Sequence, residues 1–276
     1  MAKALPTMSR TTSINEFFKS FSCIIITGAS SGIGREILSR IENSGTTAQV
    51  FNLSRTAPTG LTNTLKFTHL TCDLSQATDL EKVVGELQKL MPREGRMLLV
   101  NNSGFGSYGE FPAPDLSHNL KMMDVNVRAV VHLTTLLWDE LKRRGGQVAT
   151  VASLAGFQPT PLMTVYAATK AFVLHWSVAL DAEGRAHGVR CVAICPGPVS
   201  TNFWRAAGLK APTGLGGQTS AECVDESLWG MVRSRPIVIT GWKNRLLAFW
   251  SARLPKSWTA AVGYKVIQKL RIQPKA

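Results

Sequence analysis

The chain has 276 residues, 45% of them hydrophobic, which is enough to bury the core of one undivided α/β domain. No stretch reaches membrane-spanning length, which excludes an integral helical membrane protein. The formal charge of +13 raises the question of an anionic partner, but no recognised nucleic-acid-binding motif accompanies it, so nucleic acid is not expected as a partner.

In chain order, residues 1–20 carry hydroxyls and a few basic side chains without the apolar run of a signal peptide. They read as a frayed extension, with a transit peptide as the alternative, and a cytoplasmic protein is expected. Residues 21–240 read as the one folded domain and residues 241–276 as a basic, amphipathic tail. Apolar runs at Ile24–Thr27, Val50–Leu53, Leu98–Val100, Val148–Val151, Val192–Ile194 and Ile237–Ile239, with another around Phe67–Cys72, have strand character. Between them, Ile33–Asn43, Thr78–Leu90, Leu116–Arg143, Met163–Glu183 and Glu222–Arg233 have helical character. Alternation of this kind predicts a doubly wound parallel sheet covered on both faces. Five cysteines (23, 72, 191, 195 and 223) form no Cys-x-x-Cys and no metal-ligand cluster. Cys191 and Cys195 lie too far apart along an extended strand to bridge, so free buried thiols, a reducing compartment and no metal are expected.

Three segments carry chemistry. The first strand runs into Thr27-Gly28-Ala29-Ser30-Ser31-Gly32-Ile33-Gly34 and leaves as a helix. Glycines allow a sharp turn and close approach of a ligand, and the helix start attracts a pyrophosphate; a tight structural turn is the plainer alternative. The spacing is not that of the common Gly-x-Gly-x-x-Gly fingerprint, and the lysine of a P-loop is absent. Tyr166 and Lys170 stand one helical turn apart, where an ammonium would favour the phenolate and make an acid–base catalyst of a tyrosine whose free pKa is about 10. By itself such a pair is common on solvated helices. Ser153 ends the fifth expected strand, at a place where a serine is also an ordinary cap.

Together with Asn101-Asn102-Ser103-Gly104, Asn126 and Pro196-Gly197, these segments follow the order found in short-chain dehydrogenases/reductases, which the chain resembles from about Cys23 to Thr201. Ser103 stands where that family usually has alanine. The resemblance implies a single-domain Rossmann-like fold and a hydride transfer between a nicotinamide and a carbonyl or secondary alcohol. Tyr166 would be the proton donor, with Ser153 on the same carbonyl oxygen. Lys170 would hold the phenolate and the nicotinamide ribose, and Asn126 a water for proton delivery. Cofactor contacts are expected from Gly28, Ser30, Ser31, Gly32, Ile33, Gly34 and Arg35, then from Asn101, Asn102, Ser103 and Gly104, and finally from Tyr166, Lys170, Pro196, Gly197, Val199 and Thr201. Asp73 resembles the family position that contacts adenine, with a capping or turn aspartate as its alternative, and Leu74 follows it.

The second strand ends in Ser54-Arg55, with no acid to hold a ribose 2′-hydroxyl. Arg55, with Arg35 nearby, suits a 2′-phosphate, so NADP(H) is favoured and NAD(H) is the second choice. Phe157, Met163, Phe203 and Trp204, with Ser153 and Tyr166, are expected to line the substrate pocket and suit an apolar ketone, steroid or acyl chain. A lid is expected around Lys210–Thr219. Tail residues from Trp242 onward include Lys243, Arg245, Arg253 and Lys265 and no acid, which fits either a peripheral membrane contact or docking on the domain itself. A homodimer or homotetramer is expected from the family's use of its long helices. The competing class is a non-catalytic dinucleotide sensor or scaffold on the same fold.

Overall fold

The computed structural model describes residues 9–62, 64–201, 203 and 217–269. Its strands are β1 (Phe21–Thr27), β2 (Gln49–Ser54), β3 (Phe67–Thr71), β4 (Arg96–Asn101), β5 (Gly146–Val151), β6 (Val189–Cys195) and β7 (Ile237–Ile239). All pair in parallel, in the order β3-β2-β1-β4-β5-β6-β7. Helices α1 (Arg10–Lys19), α2 (Gly32–Asn43), α3 (Ala77–Leu90), α4 (Leu116–Met123), α5 (Ala129–Arg144), α6 (Thr164–Gly184), α7 (Ser220–Val232), α8 (Trp242–Arg253) and α9 (Lys256–Lys269) cover it.

The isoleucine run of β1 explains the two layers, because successive side chains of a strand face opposite sides. Ile24 and Ile26 join Ile37, Leu38 and Ile41 of α2 and Leu228 of α7. Cys23 and Ile25 join Leu80 and Val84 of α3 and Leu133 and Leu137 of α5. Strand order turns back between β1 and β4, and it is beyond the carboxyl ends of these strands that such sheets open a crevice. All five cysteines are free and buried, as expected.

The long helix expected over Leu116–Arg143 is interrupted. Residues Asp124–Arg128 form a single π turn between α4 and α5, and Asn126, buried within it, is drawn to neighbours outside the helix. Such a bulge leaves no periodicity signal, since the residues on either side keep the helical pattern.

The amino-terminal segment also departs from expectation. Residues 10–19 are not frayed: α1 is capped by Ser9, whose Oγ accepts from Thr12 N at 3.1 Å, and Ile14 and Phe18 are buried in the core beneath α2. Threonines and serines are indifferent helix formers, so tertiary burial of one apolar stripe supplies what local propensity does not. The tail folds as α8 and α9, hinged at Leu254–Pro255, with Ala248, Ser251 and Thr259 facing inward. Among the described residues no helix is long and apolar enough to cross a membrane.

Burial of Phe18 makes α1 part of the fold. Phe18→Ala should cost roughly 3–5 kcal/mol, read as a lower urea midpoint at unchanged slope; an unchanged midpoint would mean that α1 adds nothing to stability.

Candidate active site

Beyond the ends of β1, β4, β5 and β6 lies a cleft of about 640 Å³. Its floor is the glycine turn. Gly28 has φ +69°, and a β-carbon there would meet Ser103 Oγ at 2.5 Å; Gly34 is packed equally closely on Asn102 and on the Gly28 carbonyl. These contacts let α2 start directly above β1. Ser31, at the helix N-cap, makes no side-chain capping bond, and Gly32 and Ile33 of the first turn line the cleft, a backbone donor set that fits a pyrophosphate.

Two side chains brace this turn that the sequence had not marked. Thr27 Oγ1 accepts from Asn102 N (3.0 Å) and Ser103 N (2.9 Å), joining β1 to the loop after β4. Asn52, fully buried in β2, accepts from Ala29 N at 2.9 Å and donates to Ser54 Oγ at 2.9 Å. A polar side chain on a strand otherwise buried as Val50, Phe51 and Leu53 was the available signal.

At the β2 end, Ser54, Arg55 and Thr56 form the wall, with no acid from that strand. Asp73 and Leu74 lie across from them, and Asp73 is also a turn residue: its Oδ1 accepts from Ser75 N (3.0 Å) and Oγ (2.8 Å). Arg35 is turned away from the wall. Its Nη2 donates to Gly60 O at 3.2 Å, and its buried Nη1 has no protein partner. Asn101 is a correction, because it points into the core and donates to Thr134 Oγ1 at 3.0 Å instead of reaching the cleft. Ser30, Ser31, Gly32, Ile33, Asn102, Ser103, Gly104, Pro196, Gly197, Val199 and Thr201 all line the cleft, together with His118, Lys121 and Val125 of the α4 side, which the sequence had not marked.

At the other end stand Ser153, Tyr166 and Lys170. Helix α6 carries Tyr166 and Lys170 on one buried face, and the 3₁₀ turn Leu154–Phe157 presses against it: a β-carbon on Gly156 would meet Lys170 O at 2.8 Å. Ser153, whose Oγ accepts from Ala155 N at 3.1 Å, is therefore brought to the Tyr166 phenol, and both line the cleft. Burial pushes that phenol up to about 12, and the neighbouring Ser153 hydroxyl only partly offsets it. Burial also lowers the Lys170 ammonium to about 8, against a smaller opposing pull from Cys195, while Nζ donates to Val151 O at 2.7 Å. The expected lowering of Tyr166 by Lys170 is therefore not seen. Desolvation favours the neutral form of both groups, and Nζ lies 5.9 Å from the ring centre.

Asn126 does not line the cleft but holds its edge. Its Oδ1 accepts from Phe105 N (3.1 Å), and its Nδ2 donates to Phe105 O (2.9 Å) and Thr169 Oγ1 (3.1 Å). Phe203 stacks near Tyr166, with ring centres 5.3 Å apart, and Met163 packs in the same cluster with Phe105 and Tyr108. Phe157 is a second correction: it packs below the site and lines a separate hollow with Trp229 and Val238. Trp204 and residues 210–216 of the expected lid lie outside the described residues. Gln218 and Thr219, also assigned to that lid, are anchored: Ser200 N donates to Gln218 O at 3.0 Å, and Thr219 caps α7.

Residues 22–211 match the family model described as short chain dehydrogenase. The chain belongs to the short-chain dehydrogenase/reductase family. As a member it is an oxidoreductase acting on CH–OH and carbonyl groups. Among its relatives, an NADPH-dependent 3-dehydrocapnine reductase of Ornithobacterium rhinotracheale is 31% identical over 192 residues, 66% of this chain and 67% of that protein. A very-long-chain 3-oxoacyl-CoA reductase of Anas platyrhynchos is 31% identical over 196 residues, 65% of this chain but only 60% of that longer protein. The fold is shared with a short-chain dehydrogenase from Sphingobium yanoikuyae in complex with NADPH, at TM-score 0.69, 24% identity, and coverage of 92% and 97% of the two chains.

For this dehydrogenase the buried ammonium has a measurable sign. Folded Lys170 titrates near 8 and an unfolded lysine near 10.5, so between these values the unfolded chain holds the extra proton and stability falls as pH falls. Wild type should therefore gain on the order of 3 kcal/mol relative to Lys170→Met between about pH 7 and pH 11, read by urea unfolding at both. A constant difference would show that the ammonium is not desolvated.

Proposed function

We propose that this short-chain dehydrogenase/reductase uses NADP(H) to reduce a ketone of a lipophilic substrate, or to oxidise the corresponding alcohol. The reading is carried by one observation: a neutral, buried Tyr166, beside Ser153, at one end of a cleft whose other end offers Arg55 and no acid from β2. The nicotinamide supplies the hydride when bound, and the protein's own task is to receive the charge that develops on oxygen.

A ketone oxygen placed between Ser153 and Tyr166 meets two hydroxyl donors. As it becomes an alkoxide, it becomes a stronger base than phenolate, so a phenol held high is a competent acid, while desolvation strengthens both bonds. Lys170, next on the face of α6, then stabilises the phenolate left behind and is placed to hold the ribose hydroxyls. Asn126 fixes the Phe105 loop against α6, and we assign it the anchoring of a water that returns the proton.

At the far end, Arg55 with Ser54 and Thr56 would hold the 2′-phosphate, while Arg35, which donates to Gly60 O, is turned away from that wall. An NADPH-dependent relative supports this choice, and NAD(H) is the weaker alternative. The glycine turn, Asn102, Ser103, Gly104 and the Pro196–Thr201 loop would cradle the rest.

Phe105, Met163 and Phe203 make the substrate side apolar, and the relatives include 3-oxoacyl-CoA reductases. A 3-oxoacyl or steroid-like ketone fits that wall. Such a compound partitions into bilayers, so we place the enzyme in the cytoplasm or at a membrane surface reached through residues 241–276. We infer a homodimer or homotetramer through α5 and α6, supported by the exposure of Phe172 on α6.

Tyr166→Phe should keep NADPH affinity within about twofold and lower turnover of a 3-oxoacyl or bulky-ketone panel by roughly 10²–10⁴-fold; turnover that survives the change would remove Tyr166 from the chemistry. Separately, Arg55→Glu should raise the Kd for NADPH by roughly 10–100-fold and leave NADH binding little changed, read by nicotinamide fluorescence. Equal loss for both cofactors would place the 2′-phosphate elsewhere.

A further inference from the structure

We propose that the outward faces of α8 and α9 form a docking surface for an anionic lipid bilayer beside the substrate end of the cleft. This deepens the peripheral contact of the proposed function and rests on it only for the purpose of the contact.

Surface helices normally turn apolar side chains inward. Here the arrangement is reversed. The inward face of α8 is Asn244, Ala248 and Ser251, at i, i+4 and i+7, and the face opposite carries Trp242, Leu246 and Phe249, 64%, 53% and 47% exposed. In α9, Thr259 and Gly263 face the domain, while Trp258 and Val262, 66% and 63% exposed, point away. Large exposed apolar side chains on two consecutive helices call for a partner, since isolated exposed residues are ordinary but a contiguous patch is not.

Charge selects which partner. From Trp242 to the end of the chain there are eight lysines and arginines and no acid. An isologous contact with a second copy would set this cationic face against itself, which is unfavourable. Arg253 stacks on Phe249, 3.6 Å from its ring centre, and Lys243 lies 5.7 Å from the Trp242 ring, so cations and aromatics alternate on the exposed side. Tryptophan beside lysine and arginine is the composition that sits at a headgroup boundary, the rings in the acyl edge and the cations on phosphates.

Position ties the surface to the site. Lys256 Nζ donates to Phe157 O at 3.1 Å, at the end of the turn that begins after Ser153. Gly263 lies against Pro159 and Pro161, 3.8 and 3.6 Å from the β-carbon it lacks, on the loop leading to Met163 and Tyr166. Asn244 packs on Gly197 of the cleft wall. A bilayer on the outer face of these helices would therefore lie alongside the apolar end, where a lipophilic ketone would enter.

The test is sedimentation of the full-length protein with phosphatidylglycerol–phosphatidylcholine vesicles and with phosphatidylcholine vesicles, with ketone turnover read separately. Binding should be at least roughly tenfold tighter to the anionic vesicles and weaken between about 0.1 M and about 1 M salt. W242E/L246E/W258E should lose it by roughly tenfold or more at unchanged turnover and circular dichroism, and W258E alone, the milder variant, should lose part of it. No binding, equal binding to both vesicles, or binding untouched by the variants would overturn the proposal. So would capture of polyglutamate without lipid, which marks an acidic protein partner, or conversion of an oligomer to monomers by the variants, which marks a self-interface.

Discussion

Lys170 is only 4% exposed, and taking an ammonium out of water is so costly that the structure around it is arranged to limit the damage. Its Nζ reaches Val151 O at the last residue of β5, which fixes α6 against the end of the sheet. Gly104 and Gly156 lack side chains where their β-carbons would crowd it, the first 3.1 Å from Nζ and the second 2.8 Å from the Lys170 carbonyl. Because the turn carrying Gly156 begins at Ser153, the same close packing brings Ser153 to Tyr166. One buried cation thus sets the distance between the sheet, the turn and the helix that together present the phenol.

That burial also changes how the tyrosine–lysine pair should be understood. Spacing on a helix suggests an ammonium that simply pulls a phenol down. In the folded chain desolvation acts on both members, raising one and lowering the other, so the state favoured is a neutral phenol beside a lysine inclined to lose its charge. Such a pair costs less to bury than two charges and holds a proton ready at the oxygen, and the ammonium becomes most valuable when negative charge appears nearby. Poor ground-state pairing and good transition-state pairing are compatible, and differential stabilisation of this kind is what accelerates a step.

Much of this architecture is legible in the sequence because its signals are local. The β-branched runs, the glycine turn and the helix stripes each specify an element, and their alternation specifies a parallel sheet. Ser153, Tyr166 and Lys170 could be read because order along the chain predicts proximity at the strand ends. What could not be read was set by tertiary partners. Asn101 and Asn102 are neighbours of one type, yet one turns to Thr134 and the other to the Thr27 and Gly28 carbonyls, a choice made by strand pleat and by what waits on each side. Phe157 looked like pocket wall from its distance to Ser153, but the 3₁₀ turn rotates it to the opposite side. Helix α1 lacked a convincing propensity because the stripe that holds it, Ile14 and Phe18, is two residues wide.

The carboxyl-terminal helices show why a tail need not choose between packing on its domain and facing a partner. A helix has enough circumference for both, and the allocation of side chains reveals which task is assigned to which face. Small residues such as Ala248, Ser251 and Gly263 permit the close approach that lets Asn244 brace Gly197 and Lys256 hold Phe157 O. Had the tryptophans faced inward, α8 and α9 would stand farther from the cleft and could not support its wall. Their outward placement follows from the requirement of close packing beneath, and it leaves Trp242, Leu246, Phe249 and Trp258 exposed on helices that adjoin a site whose wall is itself apolar.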